Sequence, residues 1–309
     1  MEQPPFSNPL RGILLKLASV LVFIVMSSLI KETSSHVPAG EAVFFRSFFA
    51  IPVIFAWLAL QGEVAGVIRT TNIAGHFFRG FMGTCAMGMG FAALAYLPLP
   101  EVTAIGYASP LLVVILAAMF LGEQVRLFRM SMVALGLTGV LIVLAPRLSV
   151  TEAAGTKEAF GAMVVLISAI CAALAQVFVR KLVLTEKTAA IVFWFSTSST
   201  LLSLLTIPFG WVWPTPFETA LLVTCGILGG VGQIFLTSSY RYGDASLIAP
   251  FDYASMIFSL GIGWFFFAEV PTLTMLAGAT LVVLAGILII WRERQLGLKR
   301  EQTAVTPQG

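Results

Sequence analysis

The sequence predicts an all-α integral membrane protein with ten transmembrane helices, arranged as two inverted five-helix repeats. Three observations lead to this fold class: an apolar composition, ten apolar segments of helix length, and a short motif that occurs twice. Of the 309 residues, 58% are hydrophobic and 11% are charged, whereas soluble domains carry about 25% charged residues. Such a composition is typical of a chain embedded in a bilayer.

Ten uninterrupted apolar segments follow one another along the chain. Each is about 20 residues long, the length that crosses about 30 Å of hydrocarbon as an α-helix. They do not alternate apolar and polar residues as barrel strands would, and helices satisfy their own backbone polar groups in lipid. The predicted spans are 11–30, 40–60, 72–94, 100–121, 127–145, 158–178, 189–209, 217–240, 246–267 and 271–291.

The basic residues predict the topology. With the N-terminal segment 1–10 in the cytoplasm, 14 of the 18 Lys and Arg residues lie on the cytoplasmic side, three lie in outer loops, and Arg46 lies inside the second span. This bias follows the positive-inside rule and places both termini in the cytoplasm, at a bacterial inner membrane. The net charge of +3 is therefore explained by membrane topology, and we do not interpret it as a sign of nucleic-acid binding. Residues 292–309 are predicted to be a disordered cytoplasmic tail.

The motif Tyr-Ala-Ser occurs at residues 107–109 and again at 253–255, a separation of 146 residues. Other identities recur in the same order at separations of 146 to 149, including Ser19 with Ser168, Ser47 with Ser196, Glu123 with Glu269, and Gly139 with Gly286. Each half, 11–146 and 158–291, contains five spans, so the second half enters the membrane from the opposite side. Inverted repeats are typical of alternating-access transporters, whose substrate site lies at mid-depth between the halves.

A family resemblance rests on the last two spans of each half. The first half reads "YLPLPEVTAIGYASPLLVVILAAMFLGE" (96–123) and then "MVALGLTGVLIVL" (132–144); the second reads "FDYASMIFSLGIGWFFFAE" (251–269) and then "LAGATLVVLAGILII" (276–290). These segments resemble the EamA-type branch of the drug/metabolite transporter superfamily. The resemblance implies ten helices, a central cavity and secondary transport of a small metabolite, with no cofactor. Met256 and Ala268 depart from the first-half residues Pro110 and Gly122.

The substrate is predicted by resemblance alone. The first half looks most like family members that take up vitamin-type or cofactor-type metabolites, so riboflavin uptake is the leading expectation. S-adenosylmethionine uptake, amino-acid or drug efflux, and a passive channel stay open, because the shared motifs report fold more than substrate. Whether the carrier forms a homodimer is also open.

No pattern in the sequence indicates enzymatic chemistry. The cysteines Cys85, Cys171 and Cys225 have no CxxC spacing, and His36 and His76 stand apart, so no metal site is predicted. A Gly-rich phosphate loop ending in Lys-Ser or Lys-Thr is also missing from the sequence. We therefore expect a transporter and not an enzyme.

Charged residues inside a span are costly in hydrocarbon and are the first candidates for function. Asp252, at the repeat position of Gly106, is expected to couple protons or contact substrate; the alternative is a structural partner for a nearby Arg or Tyr. Arg46, at the repeat position of Phe195, is expected to bind an anionic or carbonyl group; the alternatives are an ion pair or an interfacial anchor. Lys16 and Arg79 are expected to be topology anchors.

Uncharged polar groups and prolines complete the candidate site. Tyr107 and Tyr253 could stack on a flat ligand or pack in the core, and the amides of Gln176 and Gln233 each need a partner at membrane depth. Trp194 is expected at the interface. Pro110 and Pro250 remove the donors to the carbonyls of Gly106 and Ser246, so we expect a hinge formed by Gly106, Pro110 and Pro250.

Overall fold

The computed structural model describes residues 9–61, 70–121, 127–148, 153–182, 185–186, 188–242 and 249–305. Within these ranges the chain is helical and contains no β-strand. The helices are α1 Pro9–Thr33, α2 Ala39–Phe48, α3 Ala50–Gln61, α4 Ile73–Ala93, α5 Leu99–Gly106, α6 Ala108–Leu121, α7 Leu127–Leu148, α8 Ala153–Leu182, α9 Thr188–Leu204, α10 Pro216–Tyr242, α11 Ala254–Phe267 and α12 Leu273–Val305, with short 3-10 segments at Ile207–Phe209 and Ala249–Tyr253.

Among the described residues, six stretches of helix are long and apolar enough to cross a membrane: Leu10–Thr33, Ala39–Leu60, Leu99–Leu116, Thr156–Val179, Pro216–Leu236 and Leu273–Arg292. Three shorter apolar helices are Met130–Pro146, Ala189–Leu204 and Phe251–Phe267. Helix α4 is 21 residues long, but His76, Arg79 and its several glycines make it less apolar than these. The prediction of a multi-pass helical membrane protein is confirmed at this level.

Two of the predicted spans are divided by a single residue. Helices α2 and α3 are separated at Phe49, and helices α5 and α6 at Tyr107. In each case the third residue of the following helix is a proline, Pro52 or Pro110, which has no N–H to donate to the carbonyl four residues earlier. The backbone at both breaks stays near helical angles, so the two pieces continue in the same general direction. Pro110 was expected to weaken its span; Pro52 was not.

The helices of the two halves pack on each other more than within each half. Helix α1 lies along α10, α4 along α8, and α7 along α12, while α2 contacts α9. The largest cluster of buried apolar side chains joins α5, α6 and α7 to α12, and includes Ile105, Leu111, Leu144 and Val282. The core of the protein is therefore the surface between the two halves of the sequence.

One boundary differs from expectation. Helix α12 continues to Val305, so the segment from 292 to 305 is helical and not a disordered tail. This segment is rich in Arg, Glu, Gln and Leu, which are good helix formers and extend a helix that is already nucleated. Glu123, which the repeat pairs with Glu269, lies outside the described residues.

Candidate functional site

Two arginine side chains converge on one aromatic ring at the surface between the halves. The guanidinium carbon of Arg46, from α2, lies 5.6 Å from the centre of the Phe195 ring, and that of Arg79, from α4, lies 3.9 Å from it. Phe195 belongs to α9. A cation over an aromatic face is stabilised by about 0.5–2 kcal/mol, more when water is excluded. The ring therefore holds both cations in one place, although they repel each other.

Two glycines make room for these arginines. A Cβ atom on Gly83 would overlap Nη1 of Arg79 and come within 2.8 Å of the Phe195 ring. A Cβ atom on Gly229, in α10, would lie 3.0 Å from Nε of Arg46. Larger residues at 83 and 229 would displace the guanidinium groups, so these glycines are part of the site and not general packing positions.

Arg46 is buried and Arg79 is half-buried, and neither has an ionic partner among the described residues. Arg46 is only 5% exposed. In the described part of the chain, Nε of Arg46 and both Nε and Nη1 of Arg79 have no hydrogen-bond partner, and neither side chain forms an ion pair with a carboxylate. The indole N–H of Trp194, next to Phe195 in the sequence, is also buried without a partner. Guanidinium and indole groups only donate hydrogen bonds, so this cluster has donors in excess.

The cluster lies at mid-depth of its helices. Phe195 is one residue from the middle of α9, Arg79 is four residues from the middle of α4, and Arg46 is four residues from the middle of the α2–α3 span. At 1.5 Å per residue, all three lie within about 6 Å of the helix midpoints. An arginine at this depth cannot reach the interface by extending its side chain a few ångströms.

His76 connects this cluster to the adjoining loop. Its ring lies 6.1 Å from that of Trp194, and Nε2 lies 3.9 Å from the carboxylate of Glu186. The same carboxylate accepts hydrogen bonds from the hydroxyl of Thr70 at 2.7 Å and the N–H of Thr71 at 2.8 Å. Burial opposes ionisation of Glu186, but the hydrogen bonds from Thr70, Thr71 and Asn72 lower its pKa. An ionised Glu186 thus ties the segment before α4 to the segment before α9.

Asp252 forms an ion pair with Lys16, at 2.7 Å between Oδ1 and Nζ. The Lys16 side chain is 2% exposed and that of Asp252 is 50% exposed. Lys16, which we expected to be an interfacial anchor, is instead buried inside the protein against a residue of the other half. At the repeat position of Asp252, a Cβ on Gly106 would meet open space.

The two tyrosines of the repeated motif contact each other. Their ring centres are 5.1 Å apart in an edge-to-face arrangement. The hydroxyl of Tyr107 lies 2.5 Å from that of Ser255 and donates to the backbone carbonyl of Tyr253 at 3.3 Å. Both rings are buried in the core. This arrangement corresponds to the core-packing alternative, with the Tyr107 hydroxyl already satisfied.

The remaining predicted residues lie in varied surroundings. Gln176 is exposed on α8, and Gln233 is half-buried on α10. Gly106 ends α5, Pro110 is the third residue of α6, and Pro250 lies in the 3-10 segment before α11. Among the described residues, no three His, Cys, Asp or Glu side chains gather in a way that could hold a metal ion.

Sequence reasoning missed Arg79 and misplaced Trp194. Arg79 was expected to reach the cytoplasmic face, and Trp194 the interface; both instead place nitrogen atoms in the buried cluster. The available signal was their spacing, since each lies six residues beyond the first residue of its helix, about 9 Å along the axis. This is deeper than an anchor needs to be.

A cavity of about 240 Å³ opens beside the ends of α1, α2 and α4. Its walls are mostly apolar and include Ile30, Val37 and Phe91, with Ser34 and Tyr96 as polar members. Nearby, Lys31 forms an ion pair with Glu269 at 2.8 Å and donates to the carbonyl of Leu97 at 2.8 Å. The N–H of Leu99 donates to the second oxygen of Glu269 at 3.0 Å. This network fastens the same ends of α1, α5 and α11 to one another.

Known proteins resemble this chain over nearly its whole length. The pseudopaline exporter CntI of Pseudomonas aeruginosa is 33% identical over 280 residues, covering 89% of this chain and 94% of the exporter. The S-adenosylmethionine uptake transporter of Rickettsia felis is 26% identical over 94% of this chain and 95% of its own length. The riboflavin transporter of Rhizobium johnstonii is 28% identical over 83% of this chain and 82% of its own length.

A solved crystal structure supports the fold independently. It superposes with a TM-score of 0.66 at 20% identity, covering 92% of this chain and 98% of the solved chain. The EamA-like transporter family matches residues 10–145 and 159–291, one match for each half. The chain therefore belongs to the EamA-like transporter family, and it is a multi-pass membrane transporter and not an enzyme.

Proposed function

We propose that this transporter is a secondary carrier with ten membrane spans in two inverted five-helix repeats, residues 11–146 and 158–291. It moves a small metabolite by alternating access across a bacterial inner membrane, with both termini in the cytoplasm. The observation that carries the proposal is that repeat-related residues contact each other at the centre of the molecule. An inverted repeat places the substrate site at that centre.

A residue touches its own repeat counterpart only where both lie near the axis that relates the halves. Arg46 and Phe195, separated by 149 residues, are one such pair, with 5.6 Å between guanidinium carbon and ring centre. Tyr107 and Tyr253, separated by 146 residues, are the other, at 5.1 Å between ring centres. Two contacts of this kind support a two-fold axis that passes through both.

Contacts away from that axis occur twice. The Ser19 hydroxyl donates to the carbonyl of Gly232 at 3.0 Å, and the Ser168 hydroxyl donates to the carbonyl of Ala86 at 2.7 Å. Ser168 lies 149 residues after Ser19, and Gly232 lies 146 residues after Ala86. Repeated contacts at the repeat separations support the same inverted architecture.

The relatives favour export as the direction. The exporters are 32% and 33% identical to this chain, whereas the S-adenosylmethionine and riboflavin transporters are 24% to 28% identical. Uptake of riboflavin, the first expectation from the sequence, is the second candidate, because relatives with that name match most of the chain. S-adenosylmethionine uptake is supported in the same way.

Asp252 is the proposed coupling residue. In the observed conformation its half-exposed carboxylate forms an ion pair with Lys16. Transfer of a proton to this carboxylate during the transport cycle would break the ion pair and so couple proton movement to a rearrangement of α1 against the 3-10 segment. The carrier needs no cofactor in this scheme, and its contacts are with substrate and lipid. A homodimer is compatible with it but plays no part in it.

Metabolite profiling tests the function directly. Bacteria that express the wild-type protein or the Asp252→Asn variant at equal membrane levels are compared by mass spectrometry of medium and cell extract. We expect a metabolite that accumulates outside wild-type cells, with saturable efflux that stops when the proton gradient is dissipated. Growth rescue of a riboflavin-requiring strain at limiting riboflavin would instead identify an importer. Linear flux that persists without the gradient would identify a passive channel.

A further inference from the structure

We propose that Arg46 and Arg79 form an anion-binding subsite on the Phe195 ring, and that the transported metabolite carries a carboxylate or phosphate group. This inference rests on the proposed carrier function and names its substrate class. The inference is drawn from the excess of donors, the engagement of other described carboxylates elsewhere, and the close fit of two glycines against the guanidinium groups.

The excess of donors has no partner within the described protein. An unpaired buried donor costs about 1–3 kcal/mol, and an isolated buried charge costs more. Arg46 contributes one such N–H group at Nε, and Arg79 contributes groups at both Nε and Nη1. A molecule that offers only acceptor oxygens and negative charge is the chemical complement of these donors.

Three described carboxylates in or beside the predicted spans are engaged by groups other than these arginines. Asp252 pairs with Lys16, and Glu269 pairs with Lys31. Glu41 accepts a hydrogen bond from the backbone N–H of Val212 at 3.1 Å. The protein thus directs its own acids to other groups and leaves the two guanidinium groups facing a shared ring without a counter-charge in the described chain.

The surroundings of the arginines are fitted to them on both sides. Gly83 and Gly229, which are 146 residues apart and therefore repeat counterparts, each lie against one guanidinium group. The repeat counterpart of Arg46 is Phe195, so the first half of the chain supplies the cation and the second half supplies the ring that it contacts. Arg79 adds a second cation to this centre, and two cations suit a group with two oxygens or a dianion.

Mid-depth is where a carrier must hold its substrate. Because the cluster joins α2 and α4 of the first half to α9 of the second, a bound anion would contact both halves. The bound anion would reduce the repulsion between Arg46 and Arg79, and would thereby stabilise the conformation in which both arginines contact Phe195. The substrate itself would thus provide the free energy that closes the site.

Thermal unfolding of the purified full-length protein in detergent tests the subsite without knowledge of the substrate. The probes are oxalate and inorganic phosphate, at an ionic strength matched with potassium chloride. The variants are Arg46→Gln and Arg79→Gln, and the matched control is Arg292→Gln, which alters an exposed arginine at the end of the predicted tenth span.

We expect at least one probe to raise the Tm of the wild type and the Arg292→Gln control by several degrees, and to leave Arg46→Gln and Arg79→Gln unchanged. A response to oxalate alone indicates a carboxylate substrate, and a response to phosphate alone indicates a phosphate ester. Without a probe, both site variants should unfold no earlier than the wild type, since each removes a repelling charge. A purely structural arginine would lower Tm when replaced.

Three outcomes would overturn the inference: no probe stabilises the wild type, the site variants respond as the wild type does, or chloride stabilises it equally. The transport assay separates this inference from the function. A saturable substrate without an anionic group would refute the subsite and leave the carrier intact. Specific anion stabilisation without any saturable transport would refute the carrier and leave the subsite. Arg46→Lys should retain more transport than Arg46→Gln.

Discussion

The basic side chains of α1 differ from those of α2 and α4 in whether they have a carboxylate partner among the described residues. Lys16 and Lys31 of α1 each have a carboxylate of the other half within 2.8 Å. Arg46 of α2 and Arg79 of α4 instead face the ring of Phe195, with several nitrogen atoms unpaired among the described residues. The first arrangement joins helices, and the second leaves charge available for a ligand.

The paired lysines lie in the first and last thirds of one helix. Lys16 reaches Asp252, just before α11, and Lys31 reaches Glu269, just after it. Two separate parts of α1 are therefore fixed to the segment that contains α11. Relative motion during transport is expected elsewhere, at the proline breaks at Phe49 and Tyr107.

The largest effect on stability is expected at Lys31. The Lys31→Met variant leaves a mostly buried Glu269 carboxylate with the N–H of Leu99 as its described donor, and should destabilise the protein by about 3 kcal/mol. Equilibrium unfolding in mixed detergent would measure this change. Lys157→Met, at an exposed lysine of α8, is the control. An effect no larger than that of the control would show that the pair does not hold the helix ends.

Asp252→Asn should have a smaller effect on stability and a larger one on transport. We expect a loss of about 2 kcal/mol, below the value for a fully buried pair because Asp252 is half-exposed. Transport should fall at least about tenfold, a change of 1.4 kcal/mol or more in the barrier. Adding Lys16→Gln should recover stability but not transport. Wild-type transport by Asp252→Asn at equal expression would exclude a coupling role.

Gly83→Ala and Gly229→Ala test the two arginines that have no carboxylate partner among the described residues. Each added methyl group would displace a guanidinium group, at a cost of about 1–3 kcal/mol for overpacking. Binding of the substrate should weaken in both variants, as measured by competition against transport. Gly261→Ala is the control, since its methyl group would enter open space. Equal affinity in all three variants would indicate that the arginines are not held for a ligand.

Pro110→Ala should change the transport rate more than substrate affinity. An alanine restores the donor to the carbonyl of Gly106 and stiffens the break at Tyr107, with a stability change of about 1 kcal/mol or less. Pro52→Ala should act similarly at Phe49. Rate and affinity are separated by comparing saturable transport with equilibrium binding. An unchanged rate in both variants would argue against hinges at these residues.

The smallest effect is expected from titration of Glu186. Since folding lowers the pKa of this carboxyl, its contribution to stability is present above the ordinary value of 4.5 and is lost as pH falls through the lowered pKa. Tm should therefore decline below pH 4.5 more in the wild type than in Glu186→Gln. Parallel curves for the two proteins would show that the hydrogen bonds with Thr70 and Thr71 contribute little to stability.

Much of the fold could be predicted because lipid imposes a length and a composition on each helix. The break at Tyr107 followed from Pro110, since a missing N–H is a local property of the chain. The contacts of Tyr107 with Tyr253 and of Arg46 with Phe195 join residues that the repeat separation had already paired. The helical extension to Val305 was missed because a polar composition does not by itself separate helix from disorder.

The site was predicted less completely. Arg46 and Asp252 were identified as candidates because a charge in hydrocarbon is energetically costly. The same argument assigned Lys16 and Arg79 to the interface, because they lie closer to the predicted span ends. Whether a long basic side chain turns outward to water or inward to a partner depends on what the neighbouring helices present at the same depth. For Lys16 that was a carboxylate 236 residues away in the sequence.

The sequence alone determined that this protein is a multi-pass helical membrane protein with two related halves, because hydrophobic length and internal identity are properties of the chain. Only the tertiary structure decided which buried charges neutralise each other and which remain available. Partners of that kind are chosen by packing between distant helices, so Lys16 and Arg79 have similar sequence surroundings but different roles.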